Sequence, residues 1–82
     1  MKLNQAFALR VRQILDQKKM TQYKLAQETN IYHSTMTDIL NCKYDTPNFM
    51  NVALIVRALD LTMAEFFNSE LFDLSKLQLK EK

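Results

Sequence analysis

The chain has 82 residues, which is enough for one domain with a single small core. It contains no glycine, one proline and 48% hydrophobic residues, a composition that argues for short connections and against disorder. The single cysteine, Cys42, excludes an intramolecular disulfide and a cysteine-based zinc cluster, and it favours a cytoplasmic location. No stretch approaches the ~20 apolar residues that a membrane span needs, and the N-terminus lacks a signal-peptide core, so we expect no membrane association.

The net charge of +2 is unevenly distributed along the chain. Residues 1–45 contain seven Lys/Arg and four Asp/Glu, whereas residues 46–82 contain four Lys/Arg and five Asp/Glu. A basic excess on one part of a small domain is what a nucleic-acid partner attracts. The asymmetry by itself is weak evidence, but it points to the N-terminal half.

The first predicted helix runs from about Gln5 to Lys18, with Asn4 as its N-cap. Its apolar residues recur at helical spacing and form one face, which consists of Phe7, Val11, Ile14 and Leu15. Arg10 and Arg12 lie off that face, where they are either solvated or in contact with phosphate.

Two short predicted helices follow within residues 21–43. The first spans about Gln22 to Thr29 and is capped by Thr21, and the second spans about His33 to Leu40. Two short helices joined by a tight turn form a helix-turn-helix. The outer face of the second helix carries hydrogen-bonding side chains rather than the usual Glu/Lys mixture: His33, Ser34, Thr37, Asp38 and Asn41.

Two more helices are predicted after the loop around Pro47. One runs from about Phe49 to Leu59, is capped by Asn48, and is expected to bury Phe49, Val52, Ile55, Val56 and Leu59. The other opens at a capping box, Thr62 to Glu65, and ends near Asn68.

The tail, residues 69–82, contains too many apolar side chains for a free polar segment. Leu77 and Leu79 alternate with polar residues, a pattern that is compatible with an edge strand. Three alternatives stay open for this tail: it packs on its own core, it forms a dimer with a second copy, or it is disordered.

The stretch TQYKLAQETNIYHSTMTDILNCK resembles the helix-turn-helix of the phage-repressor/Cro (Xre-type) family. That family pattern has Ser/Thr-Gln, then Leu-Ala, then Gly-hydrophobic-Ser, and a recognition helix ending in Asn-Gly-Lys. The resemblance continues through Pro47 and the two helices after it, so it covers roughly residues 5–68. It implies an all-α, compact five-helix DNA-binding domain over residues 1–68 with a short C-terminal tail over residues 69–82.

Three positions where the family favours glycine carry other residues here. Asn30 and Asp60 tolerate the left-handed conformation that these turns need. Cys42 lacks that tolerance, so we expect either that Asn41 becomes left-handed instead or that the turn after the third helix differs.

A second departure concerns a family ion pair between the first and third helices. Leu15 and Leu40 occupy those positions, and an apolar pair avoids the cost of desolvating two charges. We therefore expect Leu15 and Leu40 to pack within about 4.5 Å of each other.

The resemblance also implies which residues meet double-stranded DNA. The third helix would lie in the major groove, with His33, Ser34, Thr37 and Asp38 toward bases. The other predicted DNA-binding residues would approach the backbone or support the motif, namely Thr21, Gln22, Tyr32, Asn41, Lys43 and Tyr44. Gln22 could also reach a base edge.

The predicted function is a small sequence-specific transcriptional regulator, repressor-like, that acts as a homodimer on an inverted repeat. The alternative is a protein-interaction module, or an antitoxin-type adaptor, that keeps the fold and binds an unknown protein partner; Asp38 and the low net charge favour it. The sequence contains no paired carboxylates, metal cluster or phosphate loop, so we expect no catalytic residue, no metal site and no cofactor.

Overall fold

The computed structural model describes residues 1–80 and contains five α-helices. They are α1 (Leu3–Lys18), α2 (Gln22–Thr29), α3 (His33–Leu40), α4 (Phe49–Ala58) and α5 (Met63–Phe67). Two single-turn 3-10 helices follow, Glu70–Phe72 and Leu74–Lys76. The predicted all-α, five-helix architecture is confirmed. None of the described helices has both the length and the apolar character needed to cross a membrane.

The core forms where all five helices meet. Each helix contributes at least one fully buried side chain, and these include Val11, Leu25, Met36, Ile55 and Phe66. The apolar face predicted for α1 is buried as expected, and α4 buries a stripe at positions 52, 55, 56 and 59. Burial of a large aliphatic or aromatic side chain contributes roughly 1.5–3 kcal/mol, so this shared cluster holds the short helices together.

Phe49 does not follow the predicted burial pattern. Its ring is 78% exposed, although it continues the helical spacing of the buried stripe on α4. It lies in the first turn, beyond the edge of the core, where its neighbour Phe67 is itself 36% exposed. The prediction was wrong because spacing identifies a face of a helix but not where the core ends along it.

Three helices begin at the predicted caps. The Thr21 hydroxyl accepts from the backbone N–H of Lys24 at 3.0 Å, and the Asn48 Oδ1 accepts from that of Asn51 at 2.7 Å. In the capping box of α5, the backbone N–H of Glu65 donates to the Thr62 hydroxyl at 3.0 Å. The Glu65 carboxylate accepts in return from the backbone N–H of Thr62 at 2.8 Å.

The start of α1 differs from the prediction. The helix begins at Leu3, two residues early, and Asn4 is a buried residue inside it rather than its cap. The Asn4 Nδ2 donates to the backbone carbonyl of Tyr44 at 2.7 Å, so this side chain ties α1 to the loop after α3. The backbone N–H of Lys2 donates instead to the Gln5 Oε1 at 2.8 Å. A long-range hydrogen bond thus outcompetes the local capping that Asn favours.

Within residues 1–80, four residues other than glycine adopt the left-handed conformation. Asn30 (φ 59°) and Asp60 (φ 62°) do so as predicted. Cys42 also does so, at φ 59°, so both alternatives offered for that turn are wrong: Asn41 has φ −96°. The backbone N–H of Lys43 donates to the Asp38 carbonyl at 2.9 Å, a Schellman-type closure that requires this conformation at Cys42. Lys19 (φ 54°) ends α1 in the same way and was not predicted.

The apolar substitution between α1 and α3 fits the structure. Leu15 is 7% exposed and Leu40 is 3% exposed, and both belong to the one core cluster. No desolvation cost of buried charges arises at these positions. Their direct contact stays a prediction.

The tail lies against the domain as far as residue 80. Phe72 packs on the core, with its ring centroid 4.7 Å from that of Phe67 and 6.0 Å from that of Phe66. The backbone N–H of Gln78 donates to the Met1 carbonyl at 2.9 Å, and this bridge is the extent of the expected edge strand. The domain boundary after residue 68, and any dimer contact through the tail, stay predictions, and residues 81–82 lie outside the described chain.

Candidate nucleic-acid interface

The turn between α2 and α3 is held by a buried threonine that the sequence reasoning overlooked. The Thr29 hydroxyl donates to the Ala26 carbonyl at 3.0 Å and accepts from the backbone N–H of Ile31 at 3.2 Å. Thr29 is only 5% exposed, and Ile31 packs against the core beside it. One buried side chain therefore ties the last turn of α2 to the residue that leads into α3.

The outer face of α3 is set by which of its residues are buried. Met36, Ile39 and Leu40 point into the core, so the side chains of His33, Ser34 and Thr37 lie on the exposed side. These polar groups can donate and accept hydrogen bonds. In the described part of the chain, no side-chain hydrogen bond occupies Ser34.

The N-terminus of α3 differs from those of α2, α4 and α5. Tyr32 is the N-cap residue and is 83% exposed, and its side chain makes no capping hydrogen bond. The first-turn N–H groups of α3 therefore have no side-chain acceptor at the cap. These N–H groups can donate to an anionic oxygen, such as that of a phosphate.

Gln22 and Thr37 meet across the two helices of the motif. The Gln22 Nε2 donates to the Thr37 hydroxyl oxygen at 2.9 Å. The Thr37 hydroxyl proton and the Gln22 Oε1 stay available to a further partner. Both residues were predicted to contact DNA, and the structure brings them together at one surface, although the DNA contacts themselves stay predictions.

His33 is positioned by an aromatic neighbour that the sequence reasoning missed. The ring centroid of Tyr23 on α2 lies 4.3 Å from that of His33, with an interplanar angle of 31°. Tyr23 is 59% exposed, so it extends the polar face of α3 sideways. The available signal was an exposed tyrosine near the start of α2, but a position on one helix does not reveal a contact with the next.

Asp38 is the centre of a small charged cluster at the C-terminal end of α3. The Lys43 Nζ lies 3.6 Å from the Asp38 Oδ2, and the Tyr44 hydroxyl donates to the same oxygen at 3.4 Å. Both distances are long for strong interactions, and Lys43 is 67% exposed. The three predicted residues are therefore together, and a stronger anionic partner could replace Asp38 at Lys43.

Asn41 is held from behind by α1. The Arg12 Nη2 donates to the Asn41 Oδ1 at 3.1 Å and to the backbone carbonyl of Leu40 at 3.1 Å. Arg10 acts similarly at α5, where its Nε donates to the Phe66 carbonyl at 2.7 Å. The two arginines thus satisfy carbonyls at helix C-termini, a role that neither the solvated nor the phosphate-contact prediction included.

All ten predicted DNA-binding residues lie on or next to the helix-turn-helix, although none of their contacts with DNA is tested. Thr21 caps α2, Tyr32 begins α3, and the remaining eight form the contacts and exposed positions described above. Within residues 1–80, no group of three His, Cys, Asp or Glu side chains is placed to hold a metal ion.

Comparison with known proteins identifies the family. The family model of the Cro/C1-type HTH DNA-binding domain matches residues 10–70, a range that contains the whole of α2 to α5 and most of α1. Comparisons with curated proteins and with solved structures give no match. The family is described as a DNA-binding domain. The chain therefore belongs to the Cro/C1-type helix-turn-helix DNA-binding family, as its resemblance to the phage-repressor pattern predicted.

Proposed function

We propose that the protein is a sequence-specific transcriptional regulator of the repressor type that reads an inverted repeat as a dimer. The observation that carries this proposal is the outer face of α3. It presents hydrogen-bonding side chains, and contacts from α1 and α2 hold several of them in place. A surface used for reading bases needs such preorganised groups, whereas a merely solvated helix face does not.

Base readout is assigned to the N-terminal and central part of α3. Ser34 is exposed and can donate to or accept from a base edge, and His33 can donate to a purine acceptor. Thr37 keeps its hydroxyl proton free while it accepts from Gln22. Asp38 can accept from the amino group of cytosine.

Backbone contacts are assigned to the two ends of the motif. Thr21 and Gln22 lie at the start of α2, and Tyr32 lies at the uncapped N-terminus of α3, where a phosphate oxygen would meet backbone N–H groups. Asn41, Lys43 and Tyr44 lie at the other end, where Arg12 donates to the Asn41 Oδ1. Binding would transfer Lys43 from Asp38 to a phosphate, which frees the carboxylate for a base.

Dimerisation follows from the small number of bases that one α3 can reach. Each good bidentate base contact contributes about 1–3 kcal/mol of discrimination, so a single copy selects its site weakly. Two copies related by a two-fold axis double the contacts and match half-sites about one helical turn apart.

The experiment is selection of binding sites from a random duplex pool. It is run with the native protein and with a Ser34→Ala, Asp38→Ala double variant. The matched control is Asp73→Ala, Ser75→Ala, which removes the same residue types from the exposed tail. We expect a short inverted repeat that the control retains and the double variant loses or alters. A pool that stays unenriched at low salt refutes the proposal.

The second candidate function is a protein-interaction module, favoured by the charge of the motif itself. Residues 21–44 contain two lysines and two carboxylates, and each lysine is paired: Lys24 with Glu28 at 3.4 Å and Lys43 with Asp38. A DNA-binding protein weakens sharply as salt rises, since it releases counterions from phosphates. Duplex binding that is weak and independent of salt concentration would favour this second function.

A further inference from the structure

An apolar groove lies on the side of the domain where α1 begins, α4 begins and α5 ends. Its lining is built mainly from aromatic and aliphatic side chains, which include Leu3, Phe7, Val52, Phe67 and Phe72. We call it the aromatic groove. Its volume is about 210 Å³, below the roughly 300–1,000 Å³ of sites for small-molecule ligands. The groove is therefore sized for a large side chain rather than for a cofactor or metabolite.

The same surface carries a side chain that is suited to fill such a groove. Phe49 lies at the edge of the aromatic groove and is 78% exposed, and Met50 beside it is 68% exposed. Phe49 shares the groove with Phe67, which is 36% exposed, so exposed apolar side chains are contiguous here, and contiguous apolar patches mark interaction sites. A projecting ring next to a matching groove is the arrangement that a two-fold contact requires, because each copy then offers and receives the same group.

Charge supports a second copy as the occupant. No charged residue lines the aromatic groove, and residues 46–56 contain no charged side chain at all. Near a two-fold axis, each side chain lies close to the same side chain of the other copy. Like charges on such a surface would therefore repel each other. A basic or acidic peptide would find no complementary charge here.

We propose that the aromatic groove is the contact between two copies of this chain, with Phe49 of each copy inserted into the groove of the other. The proposal rests on the dimer of the proposed function and assigns its surface. Inserting two Phe49 rings, covering both grooves and burying both Met50 side chains removes on the order of 1,000 Å² from water. That area is at the lower limit for a specific interface, so the dimer is weak when DNA is absent.

The experiment is sedimentation equilibrium of the full chain without DNA, from about 10 µM to about 1 mM. It compares the native protein with Phe49→Glu and with Leu74→Glu, a matched control on the tail where the leucine is 63% exposed. We expect the native protein and Leu74→Glu to form dimers. Phe49→Glu should weaken dimerisation at least about 30-fold, as loss of a central interface residue does. Phe49→Leu, which keeps an apolar side chain, should retain part of the dimer.

Three results overturn the proposal. They are a native protein that stays monomeric over the whole range, a Phe49→Glu variant that dimerises like the native protein, and a Leu74→Glu variant that is impaired as much as Phe49→Glu. Thermal unfolding checks that each variant is folded, which is expected because both side chains are mostly exposed. Binding of each variant to a single half-site is measured separately, so loss of DNA binding and loss of the dimer are told apart.

Discussion

Replacing Asp38 by asparagine tests how the charged cluster on α3 works. The Lys43 Nζ lies 3.6 Å from the Asp38 carboxylate, and the lysine side chain is 67% exposed. At that separation in a water-like dielectric the attraction is only about 1 kcal/mol before screening, and measured surface pairs give about 0–1 kcal/mol. We therefore expect Asp38→Asn to change the free energy of unfolding by less than about 1 kcal/mol.

The effect of Asp38→Asn on DNA binding should be much larger than its effect on stability. Lys43 contacts a phosphate in the complex of the native protein and of the variant alike, so the slope of log affinity against log salt should stay unchanged. Selectivity for the enriched site over a scrambled duplex should fall about five- to 150-fold, which corresponds to one base contact. The Tyr44 hydroxyl loses its carboxylate acceptor at the same time.

The assay is fluorescence anisotropy with both duplexes between about 50 and 200 mM salt. Glu28→Gln is the matched control, because it removes the same charge and breaks a comparable exposed pair, Lys24–Glu28 at 3.4 Å, on α2 instead of α3. If Asp38→Asn and Glu28→Gln change selectivity equally, or neither changes it, Asp38 does not read a base and the reasoning fails.

Three further predictions concern stability and the support of α3. Arg12→Gln should lower the free energy of unfolding by about 1 kcal/mol and weaken binding to the selected site, because the hydrogen bonds to Leu40 and Asn41 are lost. Chemical unfolding measures the first effect, and fluorescence anisotropy measures the second. Lys19→Gly should raise the melting temperature by a few degrees, since a left-handed lysine costs about 1–2 kcal/mol, and a lower value in calorimetry would contradict this. The backbone and side-chain hydrogen bonds from Thr62 hold the pKa of Glu65 below its ordinary value. The ionised carboxylate therefore adds to the free energy of unfolding at neutral pH. This addition is lost as the pH falls below about 4.3 toward the folded pKa. Glu65→Gln should therefore show a shallower loss of stability in acid unfolding curves than the native protein, and equal slopes would exclude this role.

Local sequence signals predicted most of the secondary structure. Thr21, Asn48 and Thr62 cap their helices as expected, since a side-chain oxygen near the first-turn N–H groups acts within three residues. Asn30 and Asp60 end helices in the left-handed conformation for a similar local reason. These features succeed because their partners are close in the chain.

The errors occur where distant residues decide the outcome. Asn4 looked like a cap, but its amide is drawn to the Tyr44 carbonyl, 40 residues away in sequence. Cys42 adopts a strained conformation because closing α3 with the hydrogen bond from Lys43 to Asp38 outweighs a local preference of about 1–2 kcal/mol. Phe49 has the spacing of a core residue but lies past the edge of the core.

For the candidate interface, too, the sequence predicted local features and missed contacts between helices. The residue types on the outer face of α3 were readable from the sequence, because burial of Met36, Ile39 and Leu40 at helical spacing leaves the other side chains exposed. The partners that position them were not readable. Tyr23 against His33 and Arg12 against Asn41 are contacts between different helices, and their geometry depends on how α1, α2 and α3 pack.

The sequence by itself determined the presence of the five helices, the caps of α2, α4 and α5, and the family, since hydrophobic period, capping and turn chemistry act over a few residues. Only the tertiary structure decided which arginines support which helix, how Asp38 is paired, and that Phe49 stands exposed beside an apolar groove. The physical reason is that these features depend on distances between elements, and packing of the shared core sets those distances.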